Sequence, residues 1–393
     1  MRDKLHFLIV IGTRPEAIKL APVVLAARRA EGCTVTVCHT GQHADMCRGV
    51  LGLFGIVPDV DLQVMTPRQS LTELTAAVLR EMDRLLVARR PDWLIVQGDT
   101  TTAFAAALAG FYQKIPVVHV EAGLRTGDIH APWPEEMNRR LISDLGQMHF
   151  APLTANAENL RREGVVADRI LVTGNTGIDA LKELTRRLKG DPVLATQAQA
   201  MLDRTGLDCL KPGASSHIVL VTAHRRESFG AGLDAIYGAV ADTAQRFPDR
   251  DFIYPVHPNP VVREAAERIF GAAGLRNIHL IEPLDYLPFV SLMMRAELIL
   301  TDSGGIQEEA PSIGKRVIVM RAVTERTEGV ETGLVRLAGT DRAKIIASCA
   351  AAFDGSWAAP SRGTDVYGDG RAADRIVAAL LADSVPAISR RRP

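Results

Sequence analysis

A strand, a glycine turn and a helix follow one another in the second half of the chain. Two apolar runs typical of buried strands, at 297–301 and 317–320, flank the stretch 302–309, Asp-Ser-Gly-Gly-Ile-Gln-Glu-Glu. This order is typical of an α/β fold. Gly304 and Gly305 let a ligand approach the backbone, and the helix that starts there directs unpaired N–H groups and the positive end of its dipole at an anion. The stretch therefore predicts a phosphate site, with an ordinary glycine-rich turn as the alternative.

Glu309 adds a second possible ligand contact to this element. It lies about one and a half turns into the predicted helix, where a carboxylate can accept hydrogen bonds from the hydroxyl groups of a ribose. Phosphate and ribose contacts together predict a nucleotide site.

Size and charge limit the kinds of partner. The 393 residues are enough for two domains, and Lys+Arg and Asp+Glu balance at 46 each. No overall positive field therefore favours nucleic acid or an anionic membrane as a partner. No apolar stretch approaches the ~18 residues of a membrane span, and the first apolar run lacks a signal-peptide cleavage pattern. We expect a cytoplasmic protein with a small-molecule partner.

The cysteines predict no disulfide framework and no cysteine-based zinc site, because they are odd in number and scattered. We expect all five to be reduced and without a functional role. They are Cys33, Cys38, Cys47, Cys209 and Cys349.

The first predicted strand, at 5–11, also ends in a polar turn. A dinucleotide-binding domain would have the pattern G-x-G-x-x-G here, whereas this turn has Gly12 followed by Arg14, with Lys19 one turn into the helix. A tightly bound NAD is therefore not expected. Arg14 and Lys19 are candidates for phosphate contacts, and a solvated helix start is the alternative.

Carboxylates follow two further predicted strands. Asp99 and Glu121 come where strands end, and ligands of open α/β sheets bind outside that edge. Asp99 could equally be a helix N-cap. Glu135 and Glu136 open a helix after Pro134, where capping alone could explain both. Adjacent helical residues point ~100° apart, so at most one of the pair can join Asp99 and Glu121 in a cluster suited to acid–base chemistry.

A second strand, turn and helix series begins at 217–222, and the turn after it contains His224, either a donor to a ligand or a structural histidine. We therefore predict an N-terminal domain at 1–180 and a second domain at 181–368. Residues 369–393 are predicted to form a C-terminal helix and tail, with packing of this helix on the N-terminal domain as one option.

Six motifs, taken in order, resemble the non-hydrolysing UDP-N-acetylglucosamine 2-epimerase family. The resemblance extends from Gly12 to about Asp369, and such a series is far more specific than any one motif. It implies an α/β fold with two Rossmann-like domains of the glycosyltransferase-B type facing a central cleft. It also implies a homodimer, no cofactor and no essential metal. The motifs lie at 12–19, 98–102, 119–127, 134–136, 224–227 and 302–309.

The resemblance also implies roles for individual residues. Diphosphate would contact Ser303, Gly304 and Gly305, ribose would contact Glu309, and uracil would contact Phe289. The remaining substrate contacts would come from Arg14, Lys19 and Arg326. The catalytic residues would be Asp99, Glu121, Glu135 and His224. A regulatory site for a second UDP-N-acetylglucosamine, found in some bacterial members, would be formed by Gln42, Arg68, Glu136, Arg225 and His257.

The implied reaction is reversible epimerisation at C2 of UDP-N-acetylglucosamine, which gives UDP-N-acetylmannosamine for cell-surface polysaccharides. UDP leaves from C1, a base removes the C2 proton to give 2-acetamidoglucal, and UDP adds back after protonation on the opposite face. A C2 epimerase of a UDP-2,3-diacetamido-uronic acid and a glycosyltransferase of the same fold are the nearest alternatives. A hydrolysing epimerase and a UDP-sugar-binding protein without catalysis are further ones.

Overall fold

The computed structural model divides the chain into two compact units. Unit 1 contains residues 1–180 and 368–393, and unit 2 contains residues 181–367. The predicted tail at the C-terminus and two residues of the 224–227 motif, Arg226 and Glu227, lie outside the described residues. The structure describes residues 4–42, 44–214, 217–225, 228–322, 324, 326–358, 360 and 362–382.

Unit 1 is built on a seven-stranded parallel sheet with the strand order β3-β2-β1-β4-β5-β6-β7. Its strands are β1 (Leu5–Ile11), β2 (Cys33–His39), β3 (Val60–Asp61), β4 (Trp93–Gln97), β5 (Val117–Val120), β6 (Met148–Ala151) and β7 (Ile170–Val172). Its helices are α1 (Arg14–Arg29), α2 (Ala44–Leu53), α3 (Leu71–Arg89), α4 (Thr101–Tyr112), α5 (Glu135–Leu145) and α6 (Thr154–Arg162). A 3-10 turn covers Ala167–Arg169, and α7 (Thr176–Gly190) continues into unit 2.

Unit 2 is built on a six-stranded parallel sheet with the order β10-β9-β8-β11-β12-β13. The strands are β8 (His217–Thr222), β9 (Arg250–Pro255), β10 (Ile278–Ile281), β11 (Leu298–Thr301), β12 (Arg316–Val319) and β13 (Val335–Leu337). The helices are α8 (Pro192–Asp203), α9 (Ala231–Arg246), α10 (Pro260–Ala273), α11 (Tyr286–Arg295), α12 (Gly304–Ser312), α13 (Glu328–Glu331) and α14 (Arg342–Phe353). A 3-10 turn, Asp208–Leu210, precedes β8.

Both sheets have the strand order of a Rossmann fold, so the predicted α/β fold class with two Rossmann-like halves is confirmed. The apolar strands explain this architecture. Parallel strands covered by helices on both faces are buried on both sides, which is why β4 and β11 are apolar at almost every position. In each half the strand order reverses beside the first strand, between β1 and β4 and between β8 and β11. Ligands of such sheets bind at this reversal, outside the carboxyl ends of the strands.

The last helix, α15 (Ala372–Leu381), belongs to unit 1 and is held there by a buried carboxylate of α7. Asp179 accepts hydrogen bonds from the backbone N–H groups of Ala372, at 3.2 Å, and Ala373, at 2.7 Å. Asp179 therefore serves as the N-cap acceptor of α15. Arg371, the residue at the cap position, makes no such side-chain hydrogen bond. None of the helices within the described residues is both long and apolar enough to cross a membrane.

We expect Asp179→Ala to lower the free energy of unfolding by about 1–3 kcal/mol, because two buried N–H groups lose their acceptor. Burial raises the pKa of Asp179 to about 6, from 3.8 for an ordinary aspartate. The folded state therefore favours the protonated form, and the stability that Asp179 contributes is complete below about pH 4 and declines as the pH rises through 6.

The difference between the wild-type protein and Asp179→Ala should accordingly be larger at pH 5 than at pH 7.5 in urea unfolding. Asp374→Ala is the matched control. Asp374 lies in the first turn of the same helix and forms an exposed ion pair with Arg29, so its loss should change stability by less than about 1 kcal/mol. Equal effects of the two substitutions would show that Asp179 does not hold the helix.

Candidate active site

The predicted carboxylates Asp99 and Glu121 lie at the same edge of the unit 1 sheet. They follow β4 and β5, which are paired in parallel, so both come after the carboxyl ends of neighbouring strands. The backbone N–H of Gly98 donates to the carbonyl of Val120 at 3.0 Å, which joins the two turns. Parallel pairing thus brings together two acids that are 22 positions apart in the sequence.

Glu121 is held on both oxygens. The Lys19 ammonium donates to Oε1 and Oε2, each at 2.6 Å, and the Gln97 side-chain amide donates to Oε2. The carboxylate is 12 % exposed, and the backbone of Glu121 has a φ of +64°, a left-handed conformation that is strained for a residue with a side chain. Strain of this kind is kept only where the surroundings enforce it, and it is common at active sites.

Asp99 is the site candidate and not the helix cap. The N-cap of α4 is Thr100, whose hydroxyl oxygen accepts from the N–H of Ala103 at 3.0 Å. The Asp99 carboxylate instead accepts a hydrogen bond from the guanidinium of Arg139 and is 29 % exposed. Its backbone carbonyl accepts from the Asn138 side chain at 2.9 Å. Two residues of α5 therefore hold Asp99, one through its carboxylate and one through its backbone carbonyl.

The two glutamates that open α5 have different surroundings. Glu136 is fully buried and accepts from the N–H of Thr126 at 3.1 Å and from the guanidinium groups of Arg139 and Arg140 at 3.2 and 3.1 Å. Glu135, the first residue of the helix, is half-buried. Of the pair, Glu135 is thus the carboxylate that a ligand can reach without breaking a buried network, while Glu136 holds the loop at 126–127.

A further buried carboxylate, Glu16, joins the turns on either side of the strand reversal in unit 1. Its Oε2 accepts from the N–H groups of Gly12, at 2.7 Å, and Thr13, at 2.6 Å, and its Oε1 accepts from the Thr100 hydroxyl at 2.6 Å. Burial raises the pKa of Glu16. Arg14, in the first turn of α1, is half-buried beside this network.

In unit 2 a buried carboxylate, that of Asp302, likewise joins the turns on either side of the strand reversal. This residue is fully buried after β11, and its Oδ2 accepts from the N–H groups of His224, at 2.7 Å, and Arg225, at 2.8 Å, in the turn after β8. The Nδ1 atom of the His224 ring lies 3.6 Å from Oδ1. Burial raises the pKa of Asp302. The ring of His224 stacks on that of His257, with centroids 5.0 Å apart and planes 8° apart.

The guanidinium of an arginine from a later loop, Arg326, lies at the N-terminus of α12. Ser303 is the N-cap, and the buried Gly304 is the first helical residue. A Cβ atom at Gly304 would lie 2.7–2.9 Å from three atoms of the Arg326 guanidinium, so only glycine leaves room for this group. Arg326 is oriented by Glu308, which accepts from its Nε. A guanidinium and the positive end of a helix dipole at one place are both suited to bind an anion.

The residues predicted to contact ribose and uracil, Glu309 and Phe289, lie in unit 2. Phe289 is half-buried on α11, and Glu309 is half-buried on α12, next in sequence to Glu308. Tyr286 on α11 is buried, and burial together with the negative charge of Glu309 raises its pKa. The charge of Glu309 thus acts on a residue of α11, the helix that also carries Phe289. Gly305 is exposed.

The five residues of the predicted regulatory site are divided between the units. In unit 1, Gln42 accepts from the Thr102 hydroxyl at 2.6 Å, Arg68 is exposed with a φ of +59°, and Glu136 is buried. In unit 2, Arg225 is half-buried and His257 is exposed. Their grouping into one site stays a prediction.

Glu16, Gln97 and Arg139 are parts of this arrangement that were not predicted from the sequence. Arg139 had a visible signal, because it lies three residues after Glu136 on one helix face. Glu16 had another, because an acid three residues after Thr13 is the spacing of a capping box. For Gln97 we find no such signal.

Comparison with known proteins identifies the family. A family model described as UDP-N-acetylglucosamine 2-epimerase matches residues 25–381. The chain belongs to the UDP-N-acetylglucosamine 2-epimerase family. It is 49 % identical to the UDP-N-acetylglucosamine 2-epimerase of Escherichia coli K12, over 95 % of this chain and 97 % of the relative. It is 45 % identical to that of Bacillus subtilis, over 96 % and 95 %.

Solved structures of this family agree with the fold. The UDP-N-acetylglucosamine 2-epimerase of Neisseria meningitidis, bound to UDP-N-acetylglucosamine, is 44 % identical, with a TM-score of 0.87 over 96 % of this chain and 100 % of that one. The enzyme of Methanocaldococcus jannaschii, in complex with UDP-N-acetylglucosamine and UDP, is 31 % identical, with a TM-score of 0.77 over 96 % and 99 %. The predicted family and the enzyme class, an epimerase, are confirmed.

Proposed function

We propose that this epimerase interconverts UDP-N-acetylglucosamine and UDP-N-acetylmannosamine by eliminating UDP and adding it back. The Neisseria meningitidis relative, which binds UDP-N-acetylglucosamine, supports the choice of substrate. The observation that carries the proposal is the pair Asp99 and Glu121 at one carboxyl edge, each held by a cationic side chain. This arrangement keeps carboxylates fixed and available where a Rossmann-like sheet takes its ligand.

The chemistry explains why acids are needed. The proton on C2 of the N-acetyl sugar has no ring carbonyl beside it, so its direct removal to a carbanion would be too slow. Loss of UDP from C1 gives the ring a positive charge that makes this proton removable, and 2-acetamidoglucal results. Return of a proton to the opposite face and re-addition of UDP complete the inversion. Two faces require acid–base groups on two sides.

The carboxylates of Asp99, Glu121 and Glu135 are the proposed acid–base groups, and His224 is a fourth candidate. Lys19, Gln97 and Arg139 are then positioning residues, since each fixes a carboxylate. The predicted phosphate contact of Lys19 stays a proposal, although its ammonium already contacts Glu121.

The departing diphosphate is proposed to bind at the start of α12. Ser303, Gly304 and Gly305 would offer backbone N–H groups, and Arg326 would offer its guanidinium. These groups stabilise the negative charge that develops as the bond at C1 breaks. Glu309 would accept from the ribose hydroxyls, Phe289 would contact uracil, and Arg14 would contact another polar part of the ligand.

A second UDP-N-acetylglucosamine that activates the enzyme at Gln42, Arg68, Glu136, Arg225 and His257, and assembly into a homodimer, belong to the same proposal. Glu136 would take part only after one of its buried hydrogen bonds is exchanged for the ligand. The domain boundaries at 180 and 368 are proposed as well.

Glu309→Ala should weaken UDP binding by about 1.5–3 kcal/mol at most, the value of a lost hydrogen bond to a charged group. Isothermal titration calorimetry with UDP measures this directly. Glu267→Ala, which removes an exposed glutamate from α10 in the same unit, is the matched control and should bind UDP as the wild-type protein does. Equal affinities for Glu309→Ala and the control would remove Glu309 from the site.

The substrate is tested by NMR of the protein with a panel of UDP-sugars. We expect inversion at C2 of UDP-N-acetylglucosamine, with UDP-sugar persisting at equilibrium. Turnover confined to a UDP-2,3-diacetamido-uronic acid would contradict the proposed substrate. Product formation only with an added sugar acceptor would indicate a glycosyltransferase, and accumulation of free N-acetylmannosamine would indicate a hydrolysing epimerase.

A further inference from the structure

Three side chains that can bind a metal ion converge in unit 2, away from the residues discussed above. They are Cys209 in the 3-10 turn before β8, Asp251 in β9 and His279 in β10. Their ligand atoms all lie within 4.8 Å of one another. Within the residues that the structure describes, no other group of three His, Cys, Asp or Glu side chains is so close.

The parallel register explains how the two strands contribute. His279 lies opposite Ile253, and Asp251 precedes Ile253 by two residues, so Asp251 and His279 share one face of the sheet. The His279 Nε2 atom is 2.7 Å from Asp251 Oδ1. Both side chains remain partly accessible, with exposed fractions of 19 % for His279 and 23 % for Asp251. Water and ions can therefore reach the pair.

The turn with Cys209 is held in place by other contacts. The carbonyl of Leu210 accepts from the Arg295 guanidinium at 2.9 Å and from the Gln199 side-chain amide at 2.8 Å. These contacts do not involve Asp251 or His279, so the turn that carries Cys209 is held independently of the histidine and the aspartate. A site whose groups are fixed beforehand loses little conformational entropy when an ion binds.

The cluster lies at the opposite edge of the sheet from the proposed UDP site. Asp251 and His279 are each the second residue of their strand, whereas Ser303 and His224 follow the carboxyl ends of β11 and β8. In a parallel sheet these are opposite edges. The cluster is thus separate from the diphosphate, ribose and catalytic residues proposed above.

We propose that Cys209, Asp251 and His279 form a zinc site. Thiolate sulfur, imidazole nitrogen and carboxylate oxygen are the ligands that Zn²⁺ takes in proteins, and a water molecule would complete a tetrahedral site. The ion would join the turn before β8 to β10, the edge strand, and to β9 beside it.

Binding of the ion is coupled to protons. Burial and the charge of Asp251 raise the pKa of the Cys209 thiol to about 11, although the nearby Arg295 acts in the opposite sense. The thiol proton is therefore released when sulfur binds zinc, and His279 must hold its remaining ring proton on Nδ1 while Nε2 binds. Asp208 also contributes negative charge beside Cys209.

The test is calorimetric titration of chelator-treated, tag-free protein with Zn²⁺ alone. We expect one ion per chain for the wild-type protein and at least ~10-fold weaker binding for Cys209→Ser and His279→Gln, since each removes one of three ligands. His217→Gln is the matched control, because His217 is an exposed histidine beside the carboxylate of Glu297 in the same unit. It should bind zinc within twofold of wild type.

Cobalt gives a second measurement, which reports on the thiolate by its absorption and not by affinity. Co²⁺ added to the wild-type protein should show a thiolate-to-cobalt charge-transfer band, and the band should be lost in Cys209→Ser. The other four cysteines are buried, so they do not offer a competing thiolate at the surface. No band in the wild-type protein, a band that persists in Cys209→Ser, or equal zinc affinity of wild type and both ligand variants would overturn the proposal. Asp251 and His279 would then be a hydrogen-bonded pair that only joins two strands.

Discussion

Glu121→Gln is expected to lower epimerase turnover at least ~10²-fold, the usual scale for the loss of an acid–base group, while UDP affinity changes little. The amide keeps the shape of the side chain but cannot exchange a proton. It also meets the Lys19 ammonium, which loses a charged partner 2.6 Å away. Lys19 is 24 % exposed, so water can take the place of part of that interaction and the fold should survive. Steady-state rates and UDP calorimetry on the same preparation separate these effects.

The same loss is expected for Asp99→Asn and Glu135→Gln. Glu81→Gln, which changes a glutamate of an exposed ion pair on α3, is the matched control and should keep full turnover. Groups on opposite faces of C2 should also affect deuterium wash-in from the two epimers differently. Near-normal turnover in any one of the three variants would remove that residue from the catalytic set and leave the elimination to the others.

Gly304→Ala should weaken UDP binding at least ~10-fold, because a Cβ there would lie 2.7 Å from the Cζ atom of Arg326. The clash is with the far end of a flexible side chain. The guanidinium can therefore move away while the helix stays folded, and the loss should appear in affinity and not in stability.

Gly271→Ala is the matched control for this substitution. Gly271 lies in α10, and a Cβ atom there meets nothing within 4 Å. We expect it to bind UDP normally and to be slightly stabilised, as glycine to alanine changes in helices usually are. Unchanged UDP affinity in Gly304→Ala, measured by calorimetry, would contradict a diphosphate site at the start of α12.

Some placements could be derived from the sequence because they depend on the sheet alone. Parallel strands present their carboxyl ends at one edge. Asp99 comes two residues after β4 and Glu121 directly after β5, so the two had to come close once these strands paired. Gly304 and Gly305, which follow β11, likewise had to lie at the carboxyl edge of the sheet of unit 2. The α/β fold class follows from the same alternation of apolar runs and helices, whereas the strand order is known only from the structure.

Other features depend on contacts between distant residues. Lys19 and Glu121 are separated by 102 positions, and only the folded chain shows that the ammonium contacts this carboxylate. Helical spacing predicts that at most one of Glu135 and Glu136 can join Asp99 and Glu121. Which one does so depends on Thr126 and Arg140, whose donors are placed by a loop and a helix face.

The cap of α4 and the cluster at Cys209 illustrate the same limit. Asp99 and Thr100 are both good caps by residue type, and the choice between them depends on Arg139, which attracts Asp99 towards α5. Cys209, Asp251 and His279 come from a turn and two strands, so no short spacing in the sequence indicates that they meet.

The proposed reaction is tested most directly by incubating the wild-type protein with UDP-N-acetylglucosamine in deuterium oxide and observing C2 by NMR. Elimination and re-addition predict deuterium at C2 in both UDP-N-acetylglucosamine and UDP-N-acetylmannosamine, and little incorporation with Glu121→Gln. If deuterium is absent from C2 of both epimers after incubation with the wild-type protein, elimination and re-addition are contradicted.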